Sequence, residues 1–266
     1  MTGAPRAGLE IKLRSLKLPS FVAHHGEVAG RAEAAGWPFD GFLDALADLE
    51  LEERTRRRIA RALKASHLPA DKTLATLDLA RLPPAVKRQV PTLCEGGFIE
   101  RAENLLAFGL PGRGKTHLLA AIGHELIQRG YRVVFLAAFR LVHQLLAAKR
   151  ALTLEAELRR LDAVDALIVD DIGYIQQDRE EMEVLFTLLA ERYERRSVLI
   201  SSNLVFSQWD RIFKDPMTTA CAIDRVVHHA TILELTGSSY RSEAAKQRNG
   251  GRGDPGGDPP AKEPKA

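Results

Sequence analysis

The sequence predicts an α/β fold, a central parallel five-stranded sheet flanked by helices, preceded by a small all-helical N-terminal domain. Short apolar runs at 104–108, 131–136, 166–169, 198–202 and 231–235 alternate with longer stretches whose apolar residues recur at intervals of three and four. Between the first run and the helix after it stands Gly109 to Thr116, GLPGRGKT, which fits G-x-x-x-x-G-K-[ST] at every fixed position. The first 70 residues read as small helices with a modest core.

Leu9, Ile11, Leu13, Leu16 and Leu18 alternate with Lys12, Arg14 and Lys17 before Pro19, giving one short amphipathic helix with a basic side. An Ala/Glu-rich segment follows to Gly36, and Phe42, Leu43, Leu46 and Leu49 then form one helical face. From Glu50 the chain reads ELEERTRRRIARALKASHLP, with Ile59, Leu63 and Ala60 as the expected buried stripe. Arg54, Arg56, Arg57, Arg58, Arg61 and Lys64 lie mostly outside it, either as a DNA- or partner-facing surface or as a solvated face. Pro69 and Leu82-Pro83-Pro84 break any long helix and set a boundary near residue 70. The expected domains are therefore 1–70, 71–245 and a Gly/Pro-rich tail at 246–266 too poor in apolar residues to order itself.

Asn104 to Phe108 suits a buried strand, and Leu118, Leu119, Ile122 and Leu126 continue at helical spacing after the glycine loop. Strand, loop and helix in that order are what a phosphate-binding loop requires. The glycines turn backbone N–H groups inward around a phosphate, and the helix beginning near Lys115 adds the positive end of its dipole. Gly109, Leu110, Pro111, Gly112, Arg113, Gly114, Lys115, Thr116 and His117 are the expected nucleotide contacts. Lys115 would hold the β and γ phosphates of ATP, and Thr116 would place a hydroxyl on Mg²⁺.

Gly130 ends that helix, and Tyr131 to Leu136 reads as the second strand. Residues 138–161 should be helical with basic surfaces, Phe139, Val142, Leu145, Leu146, Leu154, Leu158 and Leu161 forming the apolar stripe. Ala166 to Val169 runs into Asp170-Asp171, the Walker B pattern. At the carboxyl end of a parallel strand Asp170 would hold Mg²⁺ and Asp171 would orient or deprotonate the attacking water. Asp178 can cap the next helix, whose stripe is Met182, Leu185, Phe186 and Leu189, while Arg192, Arg195 and Arg196 in its last turns read as solvated charges that complement the dipole. The fourth strand delivers Asn203, whose amide could bond the water or the γ-phosphate. Residues 220–230 read as a helix carrying Asp224-Arg225 and His228-His229 before the last strand. Arg225 could reach a neighbouring subunit's γ-phosphate as an arginine finger. Adjacent histidines on a helix point apart and no third ligand accompanies them, so they do not read as a metal site.

Net charge of +3 and pI near 8.9 permit a nucleic-acid partner without requiring one. Two isolated cysteines, Cys94 and Cys221, form no disulfide framework, and no stretch approaches the length of a membrane span. A cytoplasmic protein is expected.

With Walker A, Walker B, Asn203 and Asp224-Arg225 in register, the sequence resembles the IstB-type ATPases, transposition helpers of bacterial insertion sequences. The resemblance also rests on residues 98–104, 178–181, 191–197 (ERYERRS) and 201–203, on His228-His229-Ala230 and on Ser239-Tyr240-Arg241. It implies an AAA+ module related to the DnaC helicase loader and DnaA initiator, which assembles on double-stranded DNA as an ATP-dependent homo-oligomer and recruits or stimulates a partner transposase. Asn203 would be sensor 1, Arg225 the trans-acting finger and Arg241 a second nucleotide contact. Residues 138–161 and the N-terminal helix become candidate DNA or transposase surfaces. Asp171 stands where Glu is common in AAA+ proteins, which implies slow hydrolysis. A DnaC-like helicase loader is the nearest alternative, and a small-molecule kinase or a nucleotide-gated assembly protein are more distant ones.

Overall fold

The computed structural model describes residues 4–174, 179–204, 208–209 and 216–236. The chain divides into two compact units, Met1–Ser66 and residues 67 onward. Asp178, Arg241 and the 246–266 tail lie outside the described residues.

The first unit contains α1 (Ala4–Ser15), α2 (Pro19–Ala35) and α3 (Phe39–Ser66). Among its described residues the buried apolar side chains are Leu13, Val28, Ala32 and Leu46. The two helical stretches expected between 37 and 68 are one continuous helix of 28 residues, roughly 42 Å long at 1.5 Å per residue. Its second half differs from the expected stripe, since Ile59 and Leu63 are only half-buried and Ala60 is exposed. Leu18 at the start of α2 has no capping side chain. Glu50 of α3 supplies the cap instead: its Oε2 accepts from Ser20 N at 2.9 Å, its Oε1 from Arg54 Nε at 2.8 Å, and Arg54 also donates to Lys17 O.

The second unit opens with a 3₁₀ turn at Leu79–Arg81, α4 (Pro84–Glu95) and the single turn α5 (Gly97–Glu100). Then follow β1 (Asn104–Phe108), α6 (Lys115–Gln128), β2 (Val133–Ala137), α7 (Ala138–Arg150), α8 (Leu154–Asp162), β3 (Ala166–Asp170), α9 (Arg179–Arg192), β4 (Ser197–Ser202), α10 (Pro216–Val227) and β5 (Ala230–Glu234). All strand pairs are parallel, in the order β2-β3-β4-β1-β5. Because strand side chains alternate between faces, Leu106, Phe108, Leu167, Val169, Val198 and Ile200 share one core with Leu141, Leu145, Leu185 and Ala222 of α7, α9 and α10. The other face carries α6, where Gly123 allows close approach: a Cβ there would lie 2.9 Å from Ile168 Cδ1.

The helical stretch expected over 138–161 is interrupted at Ala151–Thr153, where Leu152 takes a φ of 57° and is exposed. Phe139 is exposed rather than in the stripe, while Leu141, Val142, Leu145, Leu146 and Leu161 are buried. Arg192 is the larger departure. Instead of a solvated charge it is buried, and its guanidinium donates to the carbonyls of Leu161, Val164 and Ser197 at 2.7, 3.3 and 2.9 Å. Burial pushes it down to about 10, and Asp162 and Asp165 nearby favour its charged form. Three chain ends that meet there are thus satisfied by one planar fork of donors.

Asn104 fixes the start of the central strand. Its Oδ1 accepts from Val198 N at 2.9 Å and its Nδ2 donates to Val226 O at 3.0 Å. β1 is thereby tied to β4 and α10 before the phosphate loop begins. Among the described residues no helix is long and apolar enough to cross a membrane.

Candidate nucleotide-binding site

The parallel sheet brings the carboxyl ends of β1, β4 and β3 side by side, in that order. β4 separates the phosphate-loop strand from the Walker B strand, so Asp170 stands two strand spacings, roughly 10 Å, from the end of β1. Gly109 leaves β1 with a φ of 154°, packed so closely that a Cβ would sit 2.5 Å from Leu235 O. Gly112 and Gly114 follow with φ of 79° and 85°, which only glycine adopts without strain. The loop therefore curls back over the first turn of α6.

Lys115, the first residue of α6, is 6% exposed and donates from Nζ to Gly109 O at 2.7 Å and Leu110 O at 3.2 Å. Its ammonium is held inside the loop. A cavity of about 260 Å³ lies over it, lined by Pro111, Gly112, Arg113, Gly114, Lys115, Thr116 and His117, by Asp171, and by Lys72, Thr76, Leu77 and Asp78. Of the expected nucleotide contacts, Gly109 and Leu110 do not line it. They form the turn beneath.

The two Walker B acids are divided by geometry. Asp171 takes a left-handed φ of 63°, tolerable for Asp, and this turns its side chain to the cavity. Asp170, the last residue of β3, is held from the neighbouring strand: Ser201 Oγ donates to its Oδ1 at 2.6 Å and accepts from Asp171 N at 2.8 Å. One fully buried hydroxyl thus orients both acids. Asn203, just after β4, has a buried Oδ1 with no hydrogen-bond partner among the described residues. Gly173 leaves room for it, since a Cβ there would lie 2.0 Å from that oxygen.

Arg225 is not brought to the cavity. On α10 its guanidinium lies over the Phe186 ring, 4.8 Å from the centroid, and its buried Nη1 has no hydrogen-bond partner among the described residues.

Sequence reasoning passed over two contributors. Ser201 carries no signal of its own inside an apolar strand. The 72–78 segment carries no motif, yet Lys72, Thr76, Leu77 and Asp78 form one wall of the cavity. Two histidines of α6 fasten it: His117 Nε2 lies 3.1 Å from Thr76 Oγ1 and 3.2 Å from Thr73 O, and His124 Nε2 lies 3.0 Å from Pro69 O. His117 thus belongs to the wall as well as to the loop.

The family model described as IstB-like ATP binding protein matches residues 11–248. An insertion-sequence ATP-binding protein of Sinorhizobium fredii is 44% identical over 250 residues, covering 94% of this chain and 84% of the relative. A second, from Pseudomonas aeruginosa, is 36% identical over 233 residues, 88% of each chain. Among solved structures, DnaI aligns with a TM-score of 0.54 at 22% identity, over 64% of this chain and 95% of its own. AMPPCP-bound DnaA from Aquifex aeolicus aligns at 0.52 and 19%, over 70% of this chain and 56% of its own. These structures share the P-loop AAA+ fold with this chain.

Proposed function

Because the chain belongs to the family of IstB-like ATP-binding proteins, we propose that it is an ATPase that assembles on double-stranded DNA as an ATP-dependent homo-oligomer and assists a partner transposase. The observation that carries the ATPase part is the shared cavity: the phosphate loop and Asp171 face one space from two strands. ATP lies with its phosphates in the loop, where Gly112, Gly114 and the first turn of α6 present backbone N–H groups and Lys115 holds the β and γ oxygens. The Thr116 hydroxyl and the Asp170 carboxylate would hold Mg²⁺ through oxygen ligands, and the Ser201 hydroxyl fixes that carboxylate. When bound, Mg²⁺ neutralises charge on the phosphate oxygens. Asp171 orients or deprotonates the attacking water, Asn203 bonds that water or the γ-phosphate, and Arg225 acts on the nucleotide of a neighbouring subunit. An Arg225 resting on an aromatic ring, away from its own subunit's cavity, suits a trans role.

The transposition part rests on the relatives, which are insertion-sequence proteins. A DNA contact is supported by the N-terminal unit, where Arg14, Lys17, Arg54, Arg57, Arg58 and Arg61 surround one surface hollow. The deciding experiment measures ATP hydrolysis with and without duplex DNA, alongside sizing of the complex. A large assembly and faster phosphate release with both ligands present support the reading. If ATP binds and duplex DNA changes neither size nor turnover, DNA assembly is wrong and a helicase-loading role becomes the better one.

A further inference from the structure

A second cluster of ligand-type side chains lies at the opposite end of the sheet from the nucleotide cavity. α9 ends at Arg192 and the chain turns through Tyr193 and Glu194, the latter with a φ of 54°. α10 ends at Val227, one residue before the histidine pair, so His228 and His229 sit in the turn that enters β5 rather than on a helix. That removes the reason for expecting them to point apart: their ring centroids are 4.0 Å from each other. Glu194 Oε1 lies 3.6 Å from His229 Nε2 and 4.0 Å from His228 Nδ1. One ligand atom from each of the three falls within 4.8 Å of the others, all on exposed residues. The third ligand that the sequence did not reveal is Glu194.

We propose that Glu194, His228 and His229 bind a divalent transition-metal ion of the zinc class, which braces the turn after α9 against the turn into β5. Two imidazoles and one carboxylate are the donor set of open zinc sites, with water as the fourth ligand. Simple ion pairing explains the cluster less well. A single carboxylate faces two imidazole rings whose centroids are 4.0 Å apart, and one divalent ion takes a lone pair from each of the three groups. The other acid close to His229, Glu103, is already engaged by Arg101 through bonds of 2.6 and 2.9 Å. The Tyr193 ring stacks on His228 and its hydroxyl lies 2.7 Å from Nδ1, the same nitrogen that faces Glu194, so the ion displaces that bond.

The backbone is already tied. His228 N donates to Asp224 O at 2.9 Å, and His229 O accepts from Asn104 N at 2.7 Å. The second bond also sets the location, because Asn104 begins the strand whose far end is the phosphate loop. A five-residue strand, roughly 16 Å, separates the cluster from the phosphate loop. Mg²⁺ prefers oxygen ligands, so the two sites take different ions.

The test uses the untagged full chain, stripped with chelator and free of nucleotide, titrated with Co²⁺ and then Zn²⁺. One equivalent of Co²⁺ should bind with the absorption of a four-coordinate ion, Zn²⁺ should displace it, and Zn²⁺ should raise the melting temperature. His229→Ala, His228→Ala and Glu194→Gln should each weaken binding at least tenfold, while His24→Ala and Asp170→Asn leave it unchanged. Wild-type binding no tighter than that of the His228→Ala/His229→Ala double variant would overturn the proposal. So would loss of the bound ion in Asp170→Asn, which would place it at the phosphate loop. Melting each variant in chelator separates a fold defect from a lost ligand, and three separate ligands cannot all fail by the same misfolding.

Discussion

Replacing Ser201 by alanine should separate the stability of the Walker B strand from its use. The hydroxyl is fully buried and makes two bonds, donating to Asp170 Oδ1 at 2.6 Å and accepting from Asp171 N at 2.8 Å. A hydrogen bond to a charged group contributes about 1.5–3 kcal/mol and one between neutral groups about 1 kcal/mol, so Ser201→Ala should cost about 2–4 kcal/mol. For a unit of this size each kcal/mol moves the melting temperature by about 2–4 °C, giving a fall of roughly 5–15 °C. The functional effect should be specific, because the Asp170 carboxylate loses the donor that aims it. Affinity for ATP should fall in the presence of Mg²⁺ and change little in EDTA. Ser202→Ala is the matched control: Ser202 Oγ donates to Leu204 O at 2.8 Å and accepts from Leu204 N at 3.0 Å, so it shapes its own turn without touching either acid. Calorimetry gives the first quantity and a fluorescent-nucleotide titration the second. An unchanged Mg²⁺ dependence in Ser201→Ala, or an equal change in Ser202→Ala, would refute the reasoning.

Lys115→Ala should abolish nucleotide binding, and Asp171→Asn should preserve it while cutting turnover by at least about 100-fold, the low end for a general base; normal turnover in the second would remove Asp171 from that role. Gly109→Ala should lower both melting temperature and nucleotide affinity, because its Cβ would meet the Leu235 backbone oxygen at 2.5 Å and the backbone conformation itself costs about 1–3 kcal/mol. Glu50 predicts an acid transition in the N-terminal unit. Burial raises its carboxyl, but the hydrogen bonds from Arg54 and Ser20 outweigh that and hold it below the ordinary 4.5. A lowered carboxyl contributes stability that is present above the unfolded value and lost as pH falls through the folded one. Helical circular dichroism should therefore fall as pH drops below 4.5, and Glu50→Gln should flatten that loss. The same acid midpoint in the variant would exclude Glu50 as its source.

The sheet was legible because parallel strands covered on both faces are short apolar runs, and runs such as 104–108 and 166–169 cannot be much else once a glycine loop or an acid pair ends them. The phosphate loop was legible because backbone curvature demands glycine at fixed positions. Less visible were residues whose role depends on a partner distant in sequence. Ser201 acts on an acid 31 residues away, and Glu50 caps a helix start 30 residues away. Arg192 reads as a surface charge because arginines near helix ends usually are, and only the convergence of three carbonyls makes its burial tolerable. The placement of the histidine pair on a helix fails for a simpler reason: the helix expected over 220–230 ends at Val227. α3 was split in two because the apolar spacing changes character at Glu50, although neither glycine nor proline interrupts it there.

The strand order carries a consequence for how the protein is made. β1, the strand that delivers the phosphate loop, lies between β4 and β5 in the sheet. Asn104 waits 94 residues for Val198 and 122 for Val226. At roughly 5–20 residues per second, a ribosome needs roughly 5–20 s to supply the first of these. Throughout that interval β1 has no partner strand on either edge. A message broken between Thr116 and β4 therefore yields a product that carries the phosphate loop but neither of the strands that flank β1 in the sheet.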